Sequence, residues 1–245
     1  MRVLTIGGSG HVGALLVPRL AALGHTQTLF DRRPPGYALP ESVTLSLGDL
    51  TEIADLYRVL PGHDAVVYMA MGQITRTGRA GDSARTSFDA NARGVWLACQ
   101  VAEELGDVSR MVYASSLSVY ENCIERPLPD ERTTPADAHH LYGLTKRFGE
   151  ECLASFCARS ERLSGFSLRL CFPVESREDV AHHVAEGRDC ALSGDETARA
   201  FHAALTAPVP PGRYAAVHVV GAAATPRVGI ARAKELLGWE PDPKP

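Results

Sequence analysis

Short apolar runs alternate with segments of helical periodicity along this 245-residue chain. About seven runs have the length and β-branched content of strands, at residues 3–6, 26–30, 43–47, 65–70, 110–115, 166–171 and 215–220. The intervening segments predict helices near 11–23, 51–60, 83–105, 141–158, 177–186 and 195–206, with one more in the tail. Strands separated by helices indicate a parallel sheet covered on both faces. The sequence therefore predicts an α/β chain with one doubly wound parallel sheet of about seven strands.

Local signals predict where several helices begin and end. Thr51 is the expected N-cap of the second helix, and Ser176 with Asp179 has the spacing of a capping box. In the tail, Thr225 and the proline after it predict a helix that begins there and ends at Gly238.

The composition suits a chain that buries a sizeable core. Hydrophobic residues make up 45% of the chain, charged residues 22%, and the formal net charge is -4. No basic block or stripe is present, so we expect no nucleic-acid partner. No stretch approaches the roughly 18 apolar residues of a membrane span, and the opening apolar run is too short for a signal peptide. We therefore expect no membrane partner either.

The cysteines and histidines indicate neither disulfides nor a metal. Six cysteines occur, and no two of them form a C-x-x-C motif. This usage is typical of buried, reduced thiols, so a cytoplasmic location is expected. His182, His183 and Glu186 lack the spacing of metal ligands, and no metal site is expected.

A glycine-rich turn, GGSGHVG, lies between the first predicted strand and the first predicted helix. Gly7, Gly10 and Gly13 are regularly spaced in it, and His11 and Val12 stand before the last glycine. Glycine permits a sharp turn and close approach of the backbone to a diphosphate, while a helix N-terminus offers free N–H groups. Three glycines alone indicate only a tight turn. The order strand, turn, helix makes a dinucleotide the predicted ligand.

Asp31 stands at the end of the second predicted strand. A carboxylate at this place can accept hydrogen bonds from both ribose hydroxyls of NAD and repels the 2′-phosphate of NADP. Arg32 and Arg33 follow directly and could attract that phosphate. The sequence therefore favours NAD and leaves NADP open, and the alternative for Asp31 is a turn residue without a ligand.

Tyr142 and Lys146 are four positions apart in a predicted helix, so their side chains lie on one face, one turn apart. Ser115 and Ser116 end the predicted strand before them. Ligands of open α/β sheets bind outside the carboxyl ends of the strands. We therefore expect these serine hydroxyls to project into the cleft that a dinucleotide would occupy.

Together these motifs resemble the extended short-chain dehydrogenase/reductase family, which is NAD-dependent epimerase/dehydratase-like. The resemblance is carried by GGSGHVG (7–13), GDL (48–50), NARGV (91–95), SSLSVY (115–120), YGLTK (142–146), LRLCFPV (168–174) and AKELLGWEP (233–241). It implies a Rossmann fold, with residues 1–245 as a single NAD(P)-binding domain. Within that domain, residues 173–210 and 222–245 would contribute a reduced, C-terminal substrate-binding region.

The resemblance implies a role for each matching residue. Tyr142 would be the general acid/base, and the charges of Lys146 and of the oxidised nicotinamide would together lower the pKa of its phenol. Ser116, which fits the family pattern S-x-x-x-Y better than Ser115, would hold the substrate oxygen. Asn91 would support the active-site backbone or a water molecule. Tyr142 and Lys146 would also contact the cofactor, together with further residues that match the family, namely Arg32, Asp49, Leu50, Ala70 and Pro173.

Two places depart from the family pattern. Leu117 and Ser118 stand where sugar-nucleotide dehydratases carry an acidic pair, so dehydration is not expected. Phe172 stands where epimerases often place an asparagine before the proline, and it cannot make the same polar contact. Few residues follow for a substrate lobe. These departures favour a small, partly apolar substrate, with Phe172 either facing it or buried in the core.

The main hypothesis is an NAD(P)-dependent reductase or dehydrogenase that acts on a small carbonyl/hydroxyl substrate by Ser-Tyr-Lys chemistry. An NAD-dependent sugar epimerase is the first alternative, because it uses the same catalytic residues. A dinucleotide-sensing regulator is the second, and the presence of both Tyr142 and Lys146 disfavours it. Relatives often dimerise through the helices equivalent to 83–105 and 141–158, so a homodimer is expected.

Overall fold

The computed structural model describes residues 1–72 and 80–243. Its strands are β1 (Arg2–Ile6), β2 (Thr26–Asp31), β3 (Val43–Leu47), β4 (Ala65–Tyr68), β5 (Arg110–Ser116), β6 (Ser164–Leu170), β7 (Pro173–Val174), β8 (Leu192–Ser193) and β9 (Tyr214–Val219). A 7-stranded sheet has the spatial order β3-β2-β1-β4-β5-β6-β9, and all its neighbours are parallel. This arrangement confirms the predicted α/β class and the doubly wound Rossmann sheet.

The helices cover both faces of this sheet. They are α1 (His11–Ala22), α2 (Ile53–Val59), α3 (Ala80–Phe88), α4 (Gly94–Leu105), α5 (Leu141–Arg159), α6 (Arg177–Ala185), α7 (Gly194–Thr206) and α8 (Ala231–Leu237). Leu16 of α1 and Phe201 of α7 share one buried cluster, and Val101 of α4 and Phe156 of α5 share the other. In the central strands β4, β5 and β6, side chains on both faces are buried almost throughout, as expected of a sheet covered on both sides.

The strand order reverses at β1, and this reversal places the crevice. β2 and β3 extend from one side of β1, whereas β4, β5 and β6 extend from the other. Gly7–Gly13 follows β1, Asp31 ends β2, Ala70 follows β4, Ser116 ends β5 and Pro173 follows β6. All of these positions lie at the carboxyl edge of the sheet, where open α/β folds bind ligands.

Some predicted helix ends are confirmed. The backbone N–H of Asp179 donates to Ser176 Oγ at 3.1 Å, and the Asp179 carboxylate accepts from the Ser176 N–H at 3.0 Å, which completes the capping box of α6. Gly238 ends α8 in the left-handed conformation, with a φ of 61°.

Two predicted helix starts are wrong. α2 begins at Ile53 and not at Thr51, and α8 begins at Ala231 and not at Thr225. The hydroxyl of Thr51 donates to a carboxylate two residues before it at 2.8 Å, and that of Thr225 donates to a carbonyl three residues before it at 2.9 Å. Local side-chain bonds of this kind compete with capping and hold each threonine in a turn ahead of the helix.

A second, 2-stranded sheet was not predicted. Pro173 pairs with Leu192 and Val174 with Ser193, in parallel, and α6 forms the crossover between β7 and β8. Strands of two residues carry no readable periodicity. In the described parts of the chain, no helix has the length and apolar character needed to cross a membrane. All six cysteines are free thiols.

Candidate active site

Of the three regularly spaced glycines of the turn, Gly7 and Gly13 are tightly packed and Gly10 is open. A Cβ on Gly7 would lie 2.3 Å from the backbone N of Ala70, and one on Gly13 would lie 1.8 Å from the carbonyl oxygen of Gly8. Gly10 is the N-cap of α1, and the nearest described atom to a Cβ there would be 3.8 Å away. The chain itself therefore requires two of the glycines. The third leaves space above the N-terminus of α1, which fits a diphosphate.

The carboxylate of Asp31 is fixed beside this turn. It accepts the backbone N–H of Ser9 at 3.0 Å and that of Arg32 at 2.7 Å. A carboxylate has about four acceptor sites, so both oxygens retain capacity for ribose hydroxyls. The Arg32 side chain is exposed at the rim. This geometry suits the cofactor contacts that the sequence indicates for both residues.

His11 ties the glycine turn to the far rim of the crevice. Its Nε2 lies 2.9 Å from the carbonyl oxygen of Pro173. The neighbouring Val12 is half-buried and packs against the core. Two predicted cofactor residues, distant in the chain, thus meet directly across the carboxyl edge of the sheet.

Asp49 and Leu50 lie on the α2 side of the crevice. The Asp49 carboxylate accepts from the backbone N–H of Thr51 at 2.9 Å, so part of its acceptor capacity is used locally. Leu50 packs so closely on Gly94 that a Cβ on that glycine would lie 2.2 Å from the leucine Cδ1. Ala70 is buried beside the glycine turn. These residues form one wall of the crevice.

The Ser116 hydroxyl lies close enough to the Tyr142 phenol to lower its pKa. Ser116 Oγ also accepts the backbone N–H of Ser118 at 3.1 Å. The hydroxyl of Ser115 lies on the other side of β5 and donates to Glu150 at 2.5 Å. Of the two adjacent serines, Ser116 is therefore the one that contacts the tyrosine.

Lys146 is buried behind the tyrosine. Its Nζ donates to the carbonyl oxygen of Ala114 at 2.8 Å and lies 4.7 Å from the ring centroid of Tyr113 and 5.9 Å from that of Tyr142. Burial lowers the pKa of Lys146 to about 7, although the nearby Glu150 carboxylate acts in the opposite direction. This pKa lies close to neutral pH, so charged and neutral forms of the lysine are both accessible there.

Burial raises the pKa of the Tyr142 phenol, while the nearby Ser116 hydroxyl opposes that rise and the neighbouring Cys171 thiol adds to it. The expectation that Lys146 lowers this pKa is therefore not met by the protein groups alone. The reason is that desolvation has the larger effect and that the ammonium bonds the backbone carbonyl of Ala114 rather than the phenol.

Asn91 lies in a π-helical turn, Asp89–Arg93, that separates α3 from α4. Its Nδ2 donates to Thr145 Oγ1 at 3.0 Å, and its backbone carbonyl accepts from the Tyr113 hydroxyl at 3.3 Å. Its Oδ1 is buried and has no hydrogen-bond partner among the described residues. Asn91 thus supports the backbone of α5 between Tyr142 and Lys146. Sequence reasoning missed Thr145, whose only signal is its place in YGLTK.

A buried polar network lies behind α5. Arg169 forms an ion pair with Glu150 at 2.6 Å, and it donates as well to the Tyr120 hydroxyl. Tyr120 in turn lies 2.7 Å from Nε2 of His218. The network reaches the site through Ser115, so it anchors the strand that carries Ser116 to the helix that carries Lys146. Buried charges of this kind require such partners.

Comparison with known proteins identifies relatives along the chain. A family model, NAD dependent epimerase/dehydratase family, matches residues 3–209. A 3-beta-hydroxysteroid dehydrogenase of Mycolicibacterium neoaurum is 35% identical over 123 residues, which cover 48% of this chain and 32% of that protein. A short-chain dehydrogenase/reductase family 42E member 1 of Bos taurus is 29% identical over 117 residues, covering 48% and 30%. The chain thus aligns with roughly a third of the length of these curated relatives.

Solved structures share the fold over nearly the whole chain. A glucuronic acid dehydrogenase from Chromohalobacter salexigens has a TM-score of 0.79 at 23% identity, covering 99% of this chain and 85% of that chain. A UDP-galactose 4-epimerase has a TM-score of 0.78 at 20% identity, covering 100% and 94%. Together with the family match, these findings confirm the predicted resemblance and NAD as the family's cofactor. The chain belongs to the NAD-dependent epimerase/dehydratase family.

Proposed function

We propose that the protein is an NAD-dependent oxidoreductase that interconverts a small carbonyl compound and its alcohol. One observation carries the proposal: the Ser116 hydroxyl lies close to the Tyr142 phenol, with buried Lys146 one turn further along α5. This group lies at the carboxyl edge of the sheet, beside the glycine turn. An acid/base hydroxyl pair beside a dinucleotide site is the arrangement that hydride transfer needs.

The residues present fit NAD. The N–H groups at the start of α1, above the open face of Gly10, would hold the diphosphate, and Asp31 would hold the adenine ribose. Tyr142 and Lys146 would contact the ribose next to the nicotinamide. When bound, the cofactor accepts or donates the hydride. Asp31 favours NAD over NADP, because its carboxylate repels a 2′-phosphate.

The protein groups place the substrate and move a proton. Ser116 would hydrogen-bond the substrate oxygen and keep it near the phenol. Tyr142 would give a proton to that oxygen in reduction and take one from it in oxidation. Because burial raises the pKa of Tyr142, the phenol rests protonated, which is the form that protonates a carbonyl oxygen. Asn91 would keep α5 in position through Thr145.

We infer that residues 173–210 and 222–245 supply the substrate side of the site. In the described part of this region, β7 begins at Pro173, whose carbonyl contacts His11, and α6 and β8 follow β7. The likeness to a glucuronic acid dehydrogenase supports net oxidation or reduction. The likeness to a UDP-galactose 4-epimerase supports sugar epimerisation as the second candidate.

A cytoplasmic homodimer is part of the same proposal. Trp96 on α4 and Phe148 on α5 are 42% and 44% exposed, and Phe88 beside them is 41% exposed. Exposed aromatic side chains on neighbouring helices suit burial against a second copy of the chain. Sedimentation of the purified protein would measure the mass of the assembly, and a monomer at all concentrations would contradict the dimer.

The function is tested by assay with NAD and NADP. Purified protein is incubated with each dinucleotide and a panel of secondary alcohols, aldoses and uronates, and absorbance of the reduced nicotinamide is followed. Net reduction of NAD supports the oxidoreductase. Conversion of a sugar without net absorbance change supports the epimerase. Dinucleotide binding without conversion of any substrate would overturn both enzymatic candidates and favour a dinucleotide-sensing regulator.

A further inference from the structure

Phe172 adopts a backbone conformation that phenylalanine rarely takes. Its φ is 46°, and among the described non-glycine residues only Asn122 shares a positive φ. The left-handed region is unfavourable for an L-residue because Cβ crowds the following carbonyl. The side chain is 41% exposed, so core packing does not offset this cost and the core alternative for Phe172 is wrong. Strain retained at an exposed side chain indicates a functional position.

The neighbours of Phe172 place it at the active site. Leu170, two residues before it, pairs with Ser116 across β5 and β6. The preceding residue, Cys171, is close enough to Tyr142 to affect its phenol electrostatically. The carbonyl of the following proline contacts His11. Phe172 therefore lies between the catalytic hydroxyls and the rim of the glycine turn.

One face of the Phe172 ring is already covered. The guanidinium of Arg188 lies 5.8 Å from the ring centroid, within the range of a cation–π contact. Arg188 belongs to the loop between α6 and β8, and Leu192 of β8 donates its N–H to the Phe172 carbonyl at 3.4 Å. Met71, after β4 at the same edge of the sheet, is 51% exposed. The uncovered part of the ring thus adds apolar surface to an edge that already exposes methionine.

We propose that Phe172 sets substrate specificity by presenting its ring to the substrate, and that the substrate carries an apolar ring next to its carbonyl or hydroxyl carbon. The inference rests on the proposed function and narrows its substrate class. An apolar ring gains by covering the phenylalanine, whereas a sugar placed there would lose water from its hydroxyls without a polar partner at this position.

The test compares Phe172→Asn with the wild type by calorimetry of the NADH complex. The probes are trans-decalone, an apolar ring ketone, and D-glucuronate. Asparagine tolerates the left-handed conformation, so the fold should be retained while the ring is lost. We expect decalone affinity to fall by about tenfold or more, with glucuronate binding not weakened and NADH binding unchanged. Phe172→Leu should retain part of the decalone affinity.

Leu23→Asn serves as the control, since Leu23 is 43% exposed at the opposite end of α1 and should leave decalone binding unchanged. Equal decalone affinity in Phe172→Asn and wild type, or a wild type that binds glucuronate and not decalone, would overturn the inference. Decalone bound in a Phe172-dependent way but never reduced would count against the proposed oxidoreductase alone.

Discussion

The Tyr142 phenol reaches the Ser116 hydroxyl because Gly143 lets α5 begin against the end of β5. A Cβ on Gly143 would lie 1.9 Å from the carbonyl oxygen of Ser118. The backbone N–H of the same glycine donates to the ring of His140, which caps α5, at 3.2 Å. The first turn of the helix is therefore pressed onto the short segment that follows Ser116. This contact sets how closely the Tyr142 phenol approaches the Ser116 hydroxyl.

Replacing Gly143 with alanine should separate the hydroxyls. The added methyl must displace a backbone carbonyl rather than a flexible side chain, so overpacking should cost about 1–3 kcal/mol of unfolding free energy. Turnover should fall with it. Gly36→Ala is the matched control, because no described atom lies within 4 Å of a Cβ there. Urea denaturation of both variants measures the difference, and equal stability of the two would contradict the contact.

Tyr142→Phe should abolish the proton transfer and keep the site otherwise intact. The phenylalanine retains the ring and loses only the hydroxyl that lies close to Ser116. We expect turnover to fall by about 10²–10⁴-fold, the usual contribution of a general acid/base, with NAD affinity nearly unchanged. Steady-state kinetics and NAD titration by fluorescence give the two quantities. Turnover equal to that of the wild type would remove Tyr142 from the mechanism.

Asp31→Ala should weaken NAD and relax discrimination against NADP. The variant loses hydrogen bonds from ribose hydroxyls to a charged acceptor, worth about 1.5–3 kcal/mol, so NAD affinity should fall about tenfold or more. Arg32→Ala is the companion variant, and it should weaken NADP while leaving NAD unaffected. The dissociation constants of NAD and NADP, measured for the wild type and both variants, test these expectations. If Asp31→Ala leaves NAD affinity unchanged, the carboxylate only holds the local turn and does not bind NAD.

Strong periodicity explains why the fold was predictable from the sequence. All strands of the main sheet were predicted: most are buried apolar runs, and β3, which is largely exposed, still reads as a strand by its composition. β7 and β8 were not, because two residues cannot show a period. The starts of α2 and α8 were predicted wrongly at Thr51 and Thr225. A hydroxyl that caps a helix and one that closes a turn look the same in sequence.

The site was predictable only as far as its motifs extend. Ser116, Tyr142 and Lys146 come together as their spacing indicates. The pair of Arg169 and Glu150 was not predicted, because long-range ion pairs leave no local signal. Burial of the Tyr142 phenol, which raises its pKa, depends on packing that spacing does not reveal. The strain at Phe172 was likewise not predictable, because it lies in the backbone conformation and leaves no sequence pattern.

Lys146→Met should lower activity, and its stability relative to the wild type should depend on pH. Burial lowers the folded-state pKa of Lys146 to about 7 from 10.5, so between these values the unfolded chain binds a proton that the folded chain does not. Wild-type stability therefore falls as pH is lowered towards 7 and is level below it. The methionine variant lacks this loss, so its stability relative to wild type should rise from pH 9.5 to pH 7, even as the lost bond to Ala114 costs about 1 kcal/mol at every pH. Urea titrations at both pH values measure this change, and a difference that does not vary with pH would mean that the lysine keeps its charge when folded.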